Sequence, residues 1–117
     1  MKAIIELGRR GGAIDRARAQ LASSISGKSA DYHLIFESVE TLFSELTPAR
    51  ISTLKHLRAL GHVSIYQLAK AMKRNYSNVH RDIAKLLEHR LIEKDEAGLI
   101  YSPWSSVEIR VAMAQAA

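Results

Sequence analysis

The sequence predicts an α+β fold, and three observations predict it. Apolar residues recur at helical spacing from Ile51 to Leu87, two short apolar runs after residue 90 are separated by a turn ending in Gly98, and strand-like runs stand at 2–7 and 32–37. The chain has 117 residues, enough for a compact unit with its own core. At 47% apolar it is not a disordered tail.

Lys2 to Leu7 reads as a strand and Gly8-Arg9-Arg10-Gly11-Gly12 breaks it. Ala13 to Ser26 follows as a helix with Ile14, Ala17, Leu21 and Ile25 on one face, and Gly27 stops it. Tyr32 to Glu37 is rich in aromatic and aliphatic residues and reads as a second strand. Ser38 caps a short helix whose inward residues are Val39, Leu42, Phe43 and Leu46. This strand-helix-strand-helix order suggests a small βαβ-like unit, although two strands alone make a marginal sheet.

The second part opens on Thr47-Pro48, a hydroxyl cap with proline at the first helical position. Ile51, Leu54, Leu57 (or Arg58 by its stem) and Leu60 carry the inward stripe to Gly61, which ends the helix. Ser64-Ile65-Tyr66-Gln67 is a capping box, and Ile65, Leu68, Ala69 and Met72 line the next helix. Lys73-Arg74 is the turn, and Asn75 caps a third helix whose inner face is Val79, Ile83, Leu86 and Leu87. Leu91 to Lys94 and Leu99 to Ser102, joined by Asp95-Glu96-Ala97-Gly98, form a hairpin that Pro103 ends. Trp104 to Val111 is ambiguous: Val107, Ile109 and Val111 alternate like a strand, whereas Ala112 to Ala117 favours helix.

Three helices followed by a hairpin make a winged helix-turn-helix at residues 47–102, between a strand-helix extension at 1–46 and a C-terminal extension at 103–117. Charge follows the same division. Residues 1–46 hold six basic and six acidic side chains, and residues 47–117 hold eleven and six, so the whole excess of +5 lies in the second part. Such asymmetry suits a phosphate backbone. In this arrangement the third helix presents its first two turns to a major groove. Tyr76, Ser77, Asn78, His80 and Arg81 lie off its inner stripe, with Lys73, Arg74 and Lys85 flanking them. Asn78 suits an adenine edge and Arg81 suits guanine or phosphate. Ser77 and Tyr76 suit phosphate. Tyr66, Gln67 and Lys70 face the backbone from the middle helix, and Lys94 stands near the hairpin tip beside the acidic Asp95 and Glu96.

Leu46-Thr47-Pro48-Ala49-Arg50, Ser64-Ile65-Tyr66-Gln67-Leu68-Ala69 and Tyr76-Ser77-Asn78-Val79-His80-Arg81-Asp82-Ile83 resemble the corresponding stretches of a group of small predicted transcriptional regulators of archaea and bacteria. That group is broadly similar to MarR-type winged helices. Phe36-Glu37-Ser38 before a short helix also fits it, so the resemblance spans roughly residues 32–111. It implies binding of double-stranded DNA through the helix that holds Asn78, His80 and Arg81. Some members look like antitoxins encoded beside a toxin gene. For this chain that implies an alternative role as an antitoxin or adaptor that holds a toxin protein, with DNA binding secondary. One departure stands out. Where such domains often place glycine or asparagine after the third helix, this chain has His89-Arg90-Leu91. A left-handed Arg90 would cost on the order of 1 kcal/mol.

Other chemistry is not signalled. Ser26-Gly27-Lys28-Ser29 is similar to the end of a phosphate-binding loop, but the required first glycine is Ala22. His33, His56, His62, His80 and His89 show no ligand-pair spacing, and the chain has no cysteine, so no metal, cofactor or enzymatic activity is expected. The first apolar run is too short for a signal peptide and no stretch reaches the roughly 20 apolar residues of a membrane span. The expectation is a cytoplasmic homodimer that binds duplex DNA and represses its own promoter. The neutral residues 1–46, with 104–117, would serve as dimer or partner contact.

Overall fold

In the computed structural model, which describes residues 1–8 and 30–113, the elements run β1 (Lys2–Leu7), β2 (Tyr32–Phe36), α1 (Val39–Glu45), α2 (Pro48–Leu60), α3 (Ile65–Met72), α4 (Tyr76–Glu88), β3 (Glu93–Lys94), β4 (Ile100–Tyr101) and β5 (Ser106–Arg110). The fold is α+β. The expected helix at 13–26 lies outside the described residues. The chain divides into two units, Met1–Ser44 with Trp104–Ala117, and Glu45–Pro103.

The first unit is built on a parallel sheet of order β2-β1-β5. The ambiguity over residues 104–111 resolves to strand: Ser106–Arg110 pairs with β1, Ile109 opposite Ile5 and Val107 opposite Ala3. Among the described residues the sheet therefore has three strands rather than the marginal two, and its third strand comes from the far end of the chain. Residues paired in register point to the same face. One face carries Ala3, Ile5, Tyr32, Leu34, Phe36, Val107 and Ile109, and the other carries Lys2, Glu6, His33, Glu108 and Arg110 among its aliphatics. Ala3, Ile4 and Ile5 are all buried, as a central parallel strand requires. Tyr32 stacks on Trp104 with ring centroids 5.2 Å apart, and Ser105 donates both its N–H and its hydroxyl to the Met1 carbonyl at 2.8 Å. These contacts fasten the returning segment to the start of the chain.

Ser38 caps α1 by accepting from the Thr41 N–H at 3.1 Å. Leu42 and Leu46 of the expected inward set are buried, but Phe43 is 46% exposed. Leu42 and Leu46 are one helical turn apart and define the buried line. Phe43 is rotated about 100° from Leu42.

The second unit packs α2, α3 and α4 against one another. Its core is Leu54 and Leu57 from α2, Leu68 and Ala69 from α3, Val79, Ile83 and Leu86 from α4, and Leu91, Ile92 and Ile100 from the hairpin region. Leu60, expected inward, is 47% exposed because it is the last residue of α2, where Gly61 (φ 88°) turns the chain away. Each cap read from the sequence is made. Thr47 accepts from the Arg50 N–H, the Ser64–Gln67 capping box is reciprocal, and the Asn75 side chain accepts from the N–H groups of Ser77 and Asn78. The hairpin strands are shorter than the apolar runs, because Leu91 and Ile92 are drawn into the core. Val63 exchanges two backbone hydrogen bonds with Ile100 (3.1 and 2.8 Å), so the stretch after α2 adds a single rung on the other edge of β4.

Among the described residues two that are not glycine adopt positive φ, Lys73 (54°) and Arg90 (60°). Both close helices in the same way. The Arg74 N–H bonds the Ala69 carbonyl and the Lys73 N–H the Lys70 carbonyl, while the Leu91 N–H bonds the Leu86 carbonyl and the Arg90 N–H the Leu87 carbonyl. This is the Schellman pattern, which favours glycine at the left-handed position. Arg90 thus takes the left-handed exit whose cost the sequence raised. Arg90→Gly is expected to raise the unfolding free energy by about 0.5–1 kcal/mol, since relief of the side-chain clash exceeds the entropy glycine adds to the unfolded chain. A urea midpoint at or below that of the native chain would count against it.

Candidate nucleic-acid interface

The surface of interest is made by the start of α4, the α3–α4 turn and the start of α3. Inward residues at 79, 83 and 86 fix the rotation of α4 about its axis. With those residues buried, Tyr76, Ser77, Asn78, His80 and Arg81 are all exposed on the opposite side of the first two turns. The Tyr76 and His80 rings lie 5.9 Å apart and tilted by 42°, one helical turn from each other. Tyr66, at the start of α3, is 64% exposed, and Lys70 and Lys73 are exposed beside the turn. Gln67 is exposed too, but its side-chain oxygen accepts from the Ser64 N–H at 2.9 Å, so it serves the capping box.

Two cations expected on this surface are engaged elsewhere. The Arg74 guanidinium donates through one nitrogen to Asp82 Oδ2 (2.8 Å) and to the Thr53 hydroxyl (2.9 Å). Asp82 is buried on α4 (7% exposed), and Thr53 is buried on α2. The Thr53 hydroxyl also lies 3.1 Å from Asp82 Oδ2 and 2.9 Å from the Ala49 carbonyl. Arg50 Nε stands 3.4 Å from Asp82 Oδ1, and another Arg50 nitrogen donates to the Glu45 carbonyl at 2.9 Å. One buried carboxylate thus gathers α2, the α3–α4 turn and α4. Lys85 is the second engaged cation, 3.3 Å from both Glu45 and Glu88. Its hydrogen bond to Glu45 holds that carboxyl below its ordinary value and raises the Lys85 ammonium above its own.

Sequence periodicity overlooked Asp82 as a packed residue. The signal was present: 79, 82, 83 and 86 are consecutive positions of one helical stripe, and a charge inside that stripe needs a partner.

The hairpin is held by a second polar cluster. His62 Nδ1 lies 2.8 Å from Asp95 Oδ2, and the His62 ring stacks on Tyr101 at 4.2 Å. Asp95 Oδ1 accepts from the N–H groups of Ala97 and Leu99, both at 2.9 Å. The hydrogen bond from His62, with those two backbone donors, keeps the Asp95 carboxyl below its ordinary value against the opposing effect of burial. Asp95 is therefore consumed in shaping the turn, while Lys94 beside it is exposed. Arg58 ties α2 to the hairpin end by donating to the Ser102 hydroxyl at 2.7 Å.

Of the twelve residues singled out in the sequence, the structure brings Tyr66, Lys70, Lys73, Tyr76, Ser77, Asn78, His80 and Arg81 to the exposed ends of α3 and α4. It leaves Lys94 on the hairpin and turns Arg74, Lys85 and Gln67 to partners within the same unit. Among the described residues no cluster of histidine and carboxylate groups is arranged to hold a metal ion, and no helix is long and apolar enough to cross a membrane.

No curated protein and no solved structure matches the chain. Residues 45–109, more than half of it, match the family described as HVO_A0114. That span takes in the whole helical unit with its hairpin and most of β5. The chain belongs to the HVO_A0114 family.

Proposed function

We propose that this protein is a sequence-specific double-stranded DNA-binding regulator of transcription, with residues 47–102 acting as a winged helix-turn-helix and two copies binding a two-fold site. In this reading α3 and α4 are the helix pair, α4 enters the major groove, and β3 and β4 with the Val63 rung are the wing. The observation that carries it is the exposed, hydrogen-bonding start of α4. Five polar side chains within its first six residues face solvent together while Val79 and Ile83 are buried beneath them. Asn78 and Arg81 have the donor geometry to read purine edges, and Ser77 and Tyr76 can bond phosphate.

Cations support the same reading. Lys70, Lys73, Arg81 and Lys94 are exposed, and none forms an ion pair within the described residues. With Arg81 on a base, three phosphate contacts per protomer, from Lys70, Lys73 and Lys94, give a slope of log K against log[salt] of about −2.7. Raising salt from 50 to 200 mM is then expected to weaken binding per protomer by about 40-fold. Fluorescence anisotropy on a duplex selected from a random pool measures this. A flat salt response, or no selected sequence at all, would sink the proposal.

A further inference from the structure

We propose that the outer edge of β5 pairs antiparallel with β5 of a second copy, across a two-fold axis at Ile109, joining two three-stranded sheets into one of six. This deepens the dimeric part of the proposed function and rests on it.

Among the described residues β5 has one neighbour, β1, so its other edge offers unpaired backbone donors and acceptors. A strand edge of this kind is a template for another strand unless something blocks it. Ile109 is 39% exposed on the apolar face, in line with the buried Ile5 and the half-buried Leu34. The charges select both the partner and the register. In a two-fold antiparallel pair, opposite residues lie on the same face, so the axis must pass through a residue position. An axis at Glu108 sets Glu108 against its own copy, and an axis at Arg110 does the same with two guanidiniums. Like charges directly opposite are destabilising. An axis at Ile109 instead places Glu108 opposite Arg110 of the second copy, twice, with Ile109 against Ile109 and Val107 against Val111 on the apolar face. Within one chain Glu108 already meets Arg110 at 2.6 Å and Lys2 at 3.5 Å, so each carboxylate is shared rather than newly desolvated. The sequence Val107-Glu108-Ile109-Arg110-Val111 is thus self-complementary about its centre on both faces.

The chain has no cysteine, which makes the register directly testable. Opposite residues of an antiparallel pair have Cα atoms about 4.5–5.5 Å apart, within disulfide reach. Ile109→Cys is expected to cross-link under mild oxidation to a species of twice the chain mass. Val107→Cys, whose two copies would stand roughly 14 Å apart, is expected not to. The charge test uses two variants of opposite sign. Glu108→Arg and Arg110→Glu should each sediment as monomers at micromolar concentration, and mixing them should restore a dimer. That recovery also shows that both are folded. A native chain that is monomeric, a dimer untouched by either reversal, or preferential linking at position 107 would overturn the proposal. DNA titration of the same samples separates the two claims: a monomer that still selects a duplex removes this interface and leaves the function, whereas an Ile109-linked dimer with no DNA affinity does the reverse.

Discussion

Asp82→Ala is expected to lower the unfolding free energy by about 3 kcal/mol, the low end for breaking a buried ion pair. The low end applies because the arginines it would leave are partly solvated, with side-chain exposures of 29% for Arg74 and 19% for Arg50. In a unit of this size the thermal midpoint falls by roughly 10–20 °C. Two other groups lose a partner at once: the Thr53 hydroxyl, fully buried, and the Arg74 nitrogen that spans Thr53 and Asp82. Arg74→Ala should cost less, since Arg50 still neutralises the carboxylate. The two losses should not add, with a coupling of at least about 1 kcal/mol in a double-mutant cycle. Urea unfolding of the four proteins measures it. A loss below about 1 kcal/mol for Asp82→Ala would mean that this cluster does not anchor α4.

The second large effect concerns binding. Arg81→Ala is expected to weaken a selected duplex by about 1–3 kcal/mol, roughly 5- to 150-fold, and to relax preference at one base position. Asn78→Ala should act similarly at a neighbouring position. Neither should move the thermal midpoint appreciably, because both side chains are exposed. Lys70→Ala should instead weaken all duplexes alike and reduce the salt slope by about 1. Competition titrations with single-base variants of the selected site separate these patterns. Uniform loss at every base for Arg81→Ala would place it on phosphate rather than on a base.

These two effects fall on adjacent residues of one helix, and they show how much the sequence could disclose. Spacing at 79, 83 and 86 was enough to set the rotation of α4, and so to place Asn78, His80 and Arg81 outside. Asn75, Ser64, Gln67 and Thr47 were legible because capping depends on residues three positions apart. Arg74 was not. A guanidinium in a basic turn has the same local pattern whether it faces phosphate or a carboxylate on the next helix. Only the tertiary fold brings Asp82 and Thr53, which is 29 residues from Asp82, to it. Lys85 is half of each kind: its pair with Glu88 three residues on follows from helical spacing, whereas Glu45 lies far from it in sequence.

The sheet carries a parallel lesson. Val107, Ile109 and Val111 alternate as a strand does, yet nothing local tells which strand they join. Pairing with residues 2–6 crosses about a hundred positions. Ser105 and Trp104 reveal the connection only through contacts with Met1 and Tyr32. His62 was equally silent: its link to Asp95 spans 33 residues and depends on the hairpin closing against the stretch after α2.

Whether the first two turns of α4 meet duplex DNA can be read from backbone-amide NMR of the isotopically labelled chain titrated with a selected duplex. The largest shift changes are expected to cluster at 76–81, with smaller ones at 66, 70, 73 and 94. Residues 2–7 should shift little. A titration whose changes fall on the sheet unit, or on Lys55 and Leu60 of α2, with 76–81 unmoved, would contradict the proposed DNA-reading role of α4.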